Sequence, residues 1–353
     1  MDFTLSAERQ ALAASLHDML AAADGPAAAR AWGTGDRKPG LEIWRSLADV
    51  GVTGLLVPEH LGGVGADAVD LVVACEEIGH HALPGPFAES LAAAPLLVAA
   101  VPDAGPWPGE LAAGELIATV AARPWPAYAA DAQAAGLVLV AGPESIRVGV
   151  AGPPRPSLDA ARTVSEVEPG QLIAAGEPAT AAVSAAVEFG ALACAAQLLG
   201  AGRALLEMTA AHARQRVQFG QPVGAFQAVK HHLADVLIGL EFARPLLFGA
   251  AIALAGPVTP AVRRDVSAAK VACADAATLA ARVALQVHGA IGYTAEHDVG
   301  VYLTKVQALA PAWGSQAQHR ARLLSSLTGT VLSGTVDRQS ADRRGRVSRA
   351  GNV

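Results

Sequence analysis

The chain has 353 residues, of which 52% are hydrophobic and 16% are charged. A chain of this length and apolar content can bury a large core and is expected to form two or three domains. Its formal net charge of −6 argues against nucleic acid or an anionic membrane surface as a partner, because recognition of either begins with a basic face. Three separated cysteines, Cys75, Cys194 and Cys273, form no metal-binding or CxxC pattern, so we expect buried free thiols in a reducing cytoplasm.

Helical signals dominate residues 1–113, which we predict to be an N-terminal helical domain. The amphipathic start lacks the charged and apolar regions of a secretory signal. Further helices are predicted at Leu41–Val50 and Val69–Ile78 from apolar residues at helical spacing. The proline and glycines of Val57–Asp67 predict a loop between these two helices.

The spacing of apolar residues changes from helical to strand-like in residues 114–178, which we predict to be a shortened middle β domain. Three short runs rich in β-branched and apolar residues predict strands: Leu116–Val120, Leu137–Val140 and Ile146–Val150. Glycine and proline pairs between and after these runs are typical of turns.

The helical period returns in residues 179–333, where it predicts an antiparallel four-helix bundle. The fourth helix is expected at about Val299–Leu327. Apolar stretches such as Leu246–Ala255 stop short of the roughly 20 residues of a membrane span, so no membrane partner is expected. Residues 334–353 are rich in arginine and poor in apolar side chains, which predicts a disordered basic tail.

A first motif, RVQFGQPVGAFQ, joins two helices of the predicted bundle at Arg216–Gln227. Arg216 at a helix end offers a planar fork that suits a diphosphate. The ring of Phe219 can pack on a flat heterocycle, and Gln227 can bond a ribose or an adenine edge. The spacing alone also fits an ordinary helix hairpin with an exposed arginine and a core phenylalanine.

A second motif, QVHGAIGYT, ends the next helix at Gln286–Thr294. Its glycines allow the backbone to approach a ligand closely, although a plain glycine cap explains them almost as well. His288 is expected to be a core or interface histidine rather than an acid or a base.

Together the two motifs resemble the RxxFGxPxxxFQ hairpin and the QxHGGxGYT turn of the acyl-CoA dehydrogenase family, in the same order and at a similar separation. The stretch Trp44–Gly65, the β segment and the bundle also follow the family's order. The resemblance implies a mainly α fold with a small β domain. It also implies FAD as cofactor, an acyl-CoA thioester as substrate and an electron-transferring flavoprotein as electron acceptor.

In the family, the matching residues of both motifs contact FAD across a dimer interface. The resemblance therefore implies cofactor-binding roles for Arg216, Phe219, Gln227, Gln286, Gly289 and Ala290. Ala290 stands where the family usually has glycine.

The catalytic glutamate of the family has no counterpart in this chain. The register of its common position reads Trp313, and the alternative position on the first helix of the bundle reads Gly190. Glu188 is a weak substitute, because two residues along a helix turn a side chain about 200° away. The β segment also lacks the family's flavin-flanking residues; Arg123 there is either a new ligand contact or an exposed loop arginine.

These departures from the family's pattern make the chain similar to one kind of subunit in the α2β2 acyl-CoA dehydrogenases that act in actinobacterial degradation of steroid side chains. That subunit is base-free, which means that it lacks the catalytic glutamate. A related chain would then supply the glutamate. Two alternatives stay open. One is a catalytically silent homo-oligomer that binds flavin or acyl-CoA or acts as a scaffold, and the other is an active homotetramer with an unconventional base such as Glu59 or Glu188.

Overall fold

The computed structural model describes residues 5–123, 125–294 and 297–329. The predicted basic tail at 334–353 lies outside the described residues, as do the first four residues of the chain. The described chain passes from helices to strands and back to helices, which confirms the predicted mainly α fold with a small β domain.

Six α-helices form the N-terminal part: α1 Ala7–Ala21, α2 Gly25–Gly33, α3 Lys38–Asp49, α4 Ala68–His80, α5 Ala94–Ala99 and α6 Trp107–Ala112. A π-helical turn at Ala88–Ala93 leads directly into α5. The helix α4 begins at a reciprocal cap, in which Asp67 accepts from the Asp70 backbone and Asp70 accepts from the Asp67 backbone. The predicted helices at Leu41–Val50 and Val69–Ile78 agree with α3 and α4.

Seven strands follow: β1 Ala118–Ala121, β2 Ala129–Ala130, β3 Leu137–Gly142, β4 Ser145–Ala151, β5 Arg155–Pro156, β6 Thr163–Ser165 and β7 Val167–Ala175. A four-stranded sheet has the order β1-β3-β4-β7, in which only the β1–β3 pair is parallel. A three-stranded antiparallel sheet has the order β2-β6-β5. Alternate residues of β3 are buried, which is the period of a strand with one face on the core.

The C-terminal part contains five helices and a short hairpin: α7 Glu177–Gln215, β8 Val217–Gln218, β9 Gln221–Pro222, α8 Gln227–Ala253, α9 Pro260–His288, α10 Val299–Leu309 and α11 Gln316–Thr328. The predicted single helix at Val299–Leu327 is wrong, since the chain divides it into α10 and α11. Pro311 interrupts the helical pattern, and Trp313 and Gly314 have positive φ angles of 56° and 99°.

The helices α7 and α8 are longer than the apolar stretches from which we judged the sequence. By length and composition alone, α7 and α8 could each cross a membrane, so the expectation that no stretch is long enough was wrong. Within the most apolar window of α7, 72% of the residues are buried in the fold, against 39% in α8. The helix α7 packs against α4, α8 and α9, which makes it a core helix.

All three cysteines are buried and free, as the sequence predicted. Burial raises the pKa of each thiol, because a thiolate would have to lose its hydration. The cysteines therefore act as small apolar side chains in the helical core.

Two glycines let α4 and α7 approach each other closely. A Cβ atom at Gly79 would overlap the backbone of Gln197, and one at Gly200 would overlap the backbone oxygen of Glu76. Neither neighbour is the end of a flexible side chain, so neither clash can be relieved by a rotamer change. The spacing of the two helices depends on glycine at both positions.

We expect Gly200→Ala to lower the free energy of unfolding by about 3 kcal/mol, because the new methyl group forces two packed backbones apart. The control is Gly239→Ala in α8, where a Cβ atom would lie 3.7 Å from the nearest neighbouring atom. That variant is expected to change stability by less than about 1 kcal/mol. Urea unfolding of both variants measures the difference, and equal stability would contradict the close approach.

Candidate functional site

The turn between α10 and α11 places Trp313 inside the protein. Its side chain is only 2% exposed and lies against α7, where a Cβ atom at Gly190 would overlap the indole ring. The indole Nε1–H donates to Glu89 Oε1 at 3.1 Å. The two positions at which the resemblance led us to expect a glutamate are thus in contact with each other, and the ring occupies the space beside Gly190.

A chain of hydrogen bonds holds this turn to the bundle. His319 Nε2 donates to the Trp313 carbonyl oxygen at 3.0 Å, and His319 Nδ1 accepts from Ser267 Oγ at 2.9 Å. Ser267 Oγ in turn accepts from Arg322 Nε at 2.6 Å. Arg322 reaches Glu188 through two parallel bonds of 2.7 and 2.8 Å. Glu188 therefore takes part in a buried bidentate ion pair, which keeps both of its oxygens occupied.

A second group of buried charges lies behind the indole ring. Glu89 is 1% exposed, and its Oε1 is 3.6 Å from Arg162 Nη2, while its Oε2 has no hydrogen-bond partner among the described residues. Burial raises the pKa of the neighbouring Asp131 carboxyl. The sequence analysis did not single out Glu89 or Arg162, although a glutamate within the apolar run of Phe87–Leu97 was a usable signal.

A cavity of about 420 Å³ opens between the β strands and the α10–α11 turn. Its walls come from both parts of the chain and include Trp125, Tyr128, Arg162, Val164, Gln307 and Trp313. Aromatic rings and one buried guanidinium around a concave space are typical of a small-molecule site.

The first motif forms the hairpin between α7 and α8. Phe219 and Gly220 occupy its tip with φ angles of 53° and 80°, which suits a two-residue turn. The Phe219 side chain is 92% exposed, so the alternative of a core phenylalanine is wrong. Arg216 at the start of the hairpin and Gln227 at the start of α8 are also exposed.

The second motif ends α9 with Gly289 at φ 61°, and Gln286, Gly289 and Ala290 are all exposed. The structure brings the two motifs to the same end of the bundle. His212 in the last turns of α7 stacks on His288 at the end of α9, with ring centroids 4.3 Å apart.

His288 is buried, as expected of a core histidine. Its Nδ1 donates to the Ala284 carbonyl oxygen at 2.8 Å, whereas Nε2 has no partner among the described residues. Burial lowers the pKa of His288, which keeps the imidazole neutral.

Two further candidates from the sequence lie apart from these contacts. Arg123 is exposed in the loop after β1, and Glu59 is exposed in a short 3-10 turn between α3 and α4. Among the described residues, no hydrogen bond or ion pair joins either side chain to the Trp313 turn.

Comparison with known proteins identifies the family. Residues 180–328 match the family model for the C-terminal domain of acyl-CoA dehydrogenases, and residues 6–102 match the model for the N-terminal domain. The acyl-CoA dehydrogenase IpdE2 of Mycobacterium tuberculosis is 32% identical over 324 residues, which cover 91% of this chain and 97% of that protein. The chain belongs to the acyl-CoA dehydrogenase family. Its members are oxidoreductases, as the motifs implied.

Solved structures share the fold. The ChsE4-ChsE5 complex from Mycobacterium tuberculosis contains a chain with a TM-score of 0.80 and 24% identity, over 94% of this chain and all of that one. The glutaryl-CoA dehydrogenase from Mycobacterium smegmatis in complex with FADH2 has a TM-score of 0.75 and 18% identity, over 92% of this chain and 96% of that one.

The exposed residues of the two motifs fit part of a dinucleotide. A guanidinium, an amide and an aromatic ring provide the contacts that a diphosphate, a ribose and a flat heterocycle require. A Cβ atom at Gly289 would meet nothing within 4 Å, so the backbone there is open to a ligand or to another subunit. The donor set is therefore compatible with FAD.

We expect the Trp313 turn to loosen in acid through His319. Burial lowers the pKa of His319 to about 3, from an ordinary value of 6.5. Between these values the unfolded chain binds more protons than the folded one, so stability falls as the pH decreases through this window. In urea unfolding, wild type should lose about 2 kcal/mol more than His319→Gln between pH 7 and pH 5.

The exposed His60→Gln variant controls for the loss of an imidazole, and its stability should follow the wild-type dependence on pH. If the free energy of unfolding of wild type and of His319→Gln changed equally with pH, the result would contradict a buried neutral imidazole at His319.

Proposed function

We propose that this chain is a subunit of an FAD-dependent acyl-CoA dehydrogenase that lacks its own catalytic base and works with a related chain that supplies the glutamate. The observation that carries the proposal is the packing of Trp313 on Gly190. Each of these residues stands at a position where family members have their base.

The chemistry of the remaining side chains supports the same view. An indole N–H only donates a hydrogen bond, so Trp313 cannot accept a proton from a substrate. Glu188 is bound by Arg322, and freeing it would leave a partly buried guanidinium without its carboxylate. Glu89 accepts from the indole N–H and is not among the described residues that line the cavity.

For the cofactor, we propose that Arg216 pairs with the diphosphate of FAD, that Phe219 packs on its ring system and that Gln227 bonds its ribose or adenine. Gln286, Gly289 and Ala290 would provide the second contact. FAD, when bound, supplies the acceptor for the hydride that leaves the acyl chain. The exposure of all six residues in a single chain agrees with contacts made toward a neighbouring subunit.

The surface of α8 supports an oligomer. Ile238, Phe242 and Leu246 are all exposed and follow one another at helical spacing, and Phe219 is a further exposed apolar side chain on the preceding hairpin. An exposed apolar stripe of this kind is typical of a protein interface. The fold shared with a chain of the ChsE4-ChsE5 complex supports a related chain as the partner.

We propose an acyl-CoA thioester as substrate. The assignment of a steroid-like or branched acyl group rests on the resemblance alone. An electron-transferring flavoprotein would accept the electrons, and the cytoplasm would be the location. The cavity of about 420 Å³ beside Trp313 would lie where the cofactor and the acyl group meet. Its volume is in the range of small-molecule sites.

We expect Arg216→Ala to weaken FAD retention by roughly tenfold to a hundredfold, because a charge-assisted contact to a diphosphate is worth about 1.5–3 kcal/mol. The measurement is the flavin absorbance per assembled oligomer during dialysis against flavin-free buffer. Arg214→Ala removes an equally charged and exposed side chain from the same helix end, and it should retain flavin as wild type does. Equal retention by both variants would remove Arg216 from the site.

Two expression experiments test whether a partner chain supplies the catalytic glutamate. In one the chain is expressed alone, and in the other it is expressed together with a related chain encoded beside it. We expect flavin, tetramer mass and acyl-CoA-dependent dye reduction only when both chains are present. Substitution of the partner's glutamate should abolish turnover while flavin and mass are retained. A flavin-bound homo-oligomer that turns over fully without a partner would overturn the proposal and favour an unconventional base. A flavin-bound homo-oligomer without turnover would favour the silent relative.

A further inference from the structure

Three histidines and a glutamate meet where α1 packs on α4. His17 lies on α1, Glu77 and His80 lie on α4, and His81 caps the end of α4. The centroids of the three imidazole rings are 4.9 to 5.1 Å apart. One nitrogen or oxygen from each of the four side chains lies within 4.8 Å of the others.

Three of the four donor atoms lie at distances close to those of a tetrahedral metal site. His17 Nδ1 is 2.9 Å from Glu77 Oε2 and 3.4 Å from His81 Nε2, and His81 Nε2 is 3.8 Å from Glu77 Oε2. Zinc binds imidazole nitrogen and carboxylate oxygen at about 2.0–2.2 Å, which places tetrahedral donors roughly 3.3 Å apart. Adjustments of about half an ångström would bring these three atoms into a shared coordination sphere, and a larger movement would add His80, since the four donor atoms lie within 4.8 Å of one another.

The neighbouring residues orient His80 and Glu77 so that each has a donor atom available to a metal ion. Glu207 Oε2 accepts from His80 Nε2 at 2.9 Å, which leaves the proton on Nε2 and a lone pair on Nδ1. That Nδ1 is buried and has no partner among the described residues. Arg203 is 3.4 Å from Glu77 Oε1, so the other carboxylate oxygen is the one that faces His17.

The protonation state of His81 agrees with this role. Burial and the neighbouring His80 lower the pKa of His81 to about 4, so its ring is neutral near pH 7. A neutral imidazole is the form that binds a metal ion.

We propose that His17, Glu77, His80 and His81 form a binding site for a divalent transition-metal ion, with zinc as the best match to three imidazoles and one carboxylate. The ion would join α1 to α4 and would be structural, because four protein ligands complete a tetrahedral shell. The half-exposed side chain of His17 provides the path by which the ion enters. The site does not depend on the proposed dehydrogenase role.

The experiment uses the full chain, purified without a histidine tag and treated with a chelator, and titrates it with Co²⁺ and then Zn²⁺. We expect one Co²⁺ per chain, with the visible absorption of four-coordinate cobalt and displacement by Zn²⁺. Zn²⁺ should also raise the melting temperature, since it binds the folded state preferentially.

Two variants separate ligation from folding. His17→Gln changes a side chain that is 43% exposed, so the variant is expected to fold, and it should bind Co²⁺ at least about tenfold more weakly and lose the thermal shift with Zn²⁺. Glu207→Gln should weaken binding by about tenfold through the orientation of His80. The exposed His60→Gln is the control and should bind as wild type does.

Two results would overturn the proposal. One is folded wild-type protein that binds no Co²⁺ or Zn²⁺. The other is His17→Gln that binds as tightly as His60→Gln, which would place the ion elsewhere on the chain.

Discussion

The burial of α7 is the constraint on which the other features depend. This helix runs from Glu177 to Gln215 and packs against α4, α8, α9 and α10, so its position sets the position of all of them. Its first half carries Glu188 and Gly190 beside the Trp313 turn. Its last turns carry His212, and Arg216 follows directly. A single helix therefore connects the Trp313 turn to the hairpin that we propose to bind the cofactor.

The sequence predicted the features that local patterns determine. The apolar spacing of α3 and α4 and the alternation in β3 follow from which face each element buries, and both are visible in a short window. The glycine and proline of the hairpin at Arg216–Gln227 likewise specify a turn from local chemistry. Register against the family motifs assigns Trp313 and Gly190 to the positions of the catalytic glutamate, and this assignment stays a prediction.

The remaining features depend on contacts between distant parts of the chain. Pro311 is a local signal for a break that the prediction of a single helix at Val299–Leu327 did not use. The left-handed backbone at Trp313 is held by His319, which only the tertiary structure brings near. The exposure of Phe219 departs from the usual burial of an aromatic side chain, because the residue lies at the tip of the hairpin, away from the helical core. His17 and Glu77 belong to different helices, so their spacing in the sequence carries no metal-ligand pattern.

The packing of Trp313 on Gly190 has a consequence for how this chain can evolve. A glutamate at position 190 would overlap the indole, and a glutamate at position 313 would leave much of the space of the ring empty, at a cost of several kcal/mol. A single substitution at either position therefore loses stability before any activity could be gained. The two residues form a pair that must change together before a glutamate can be accommodated at either position.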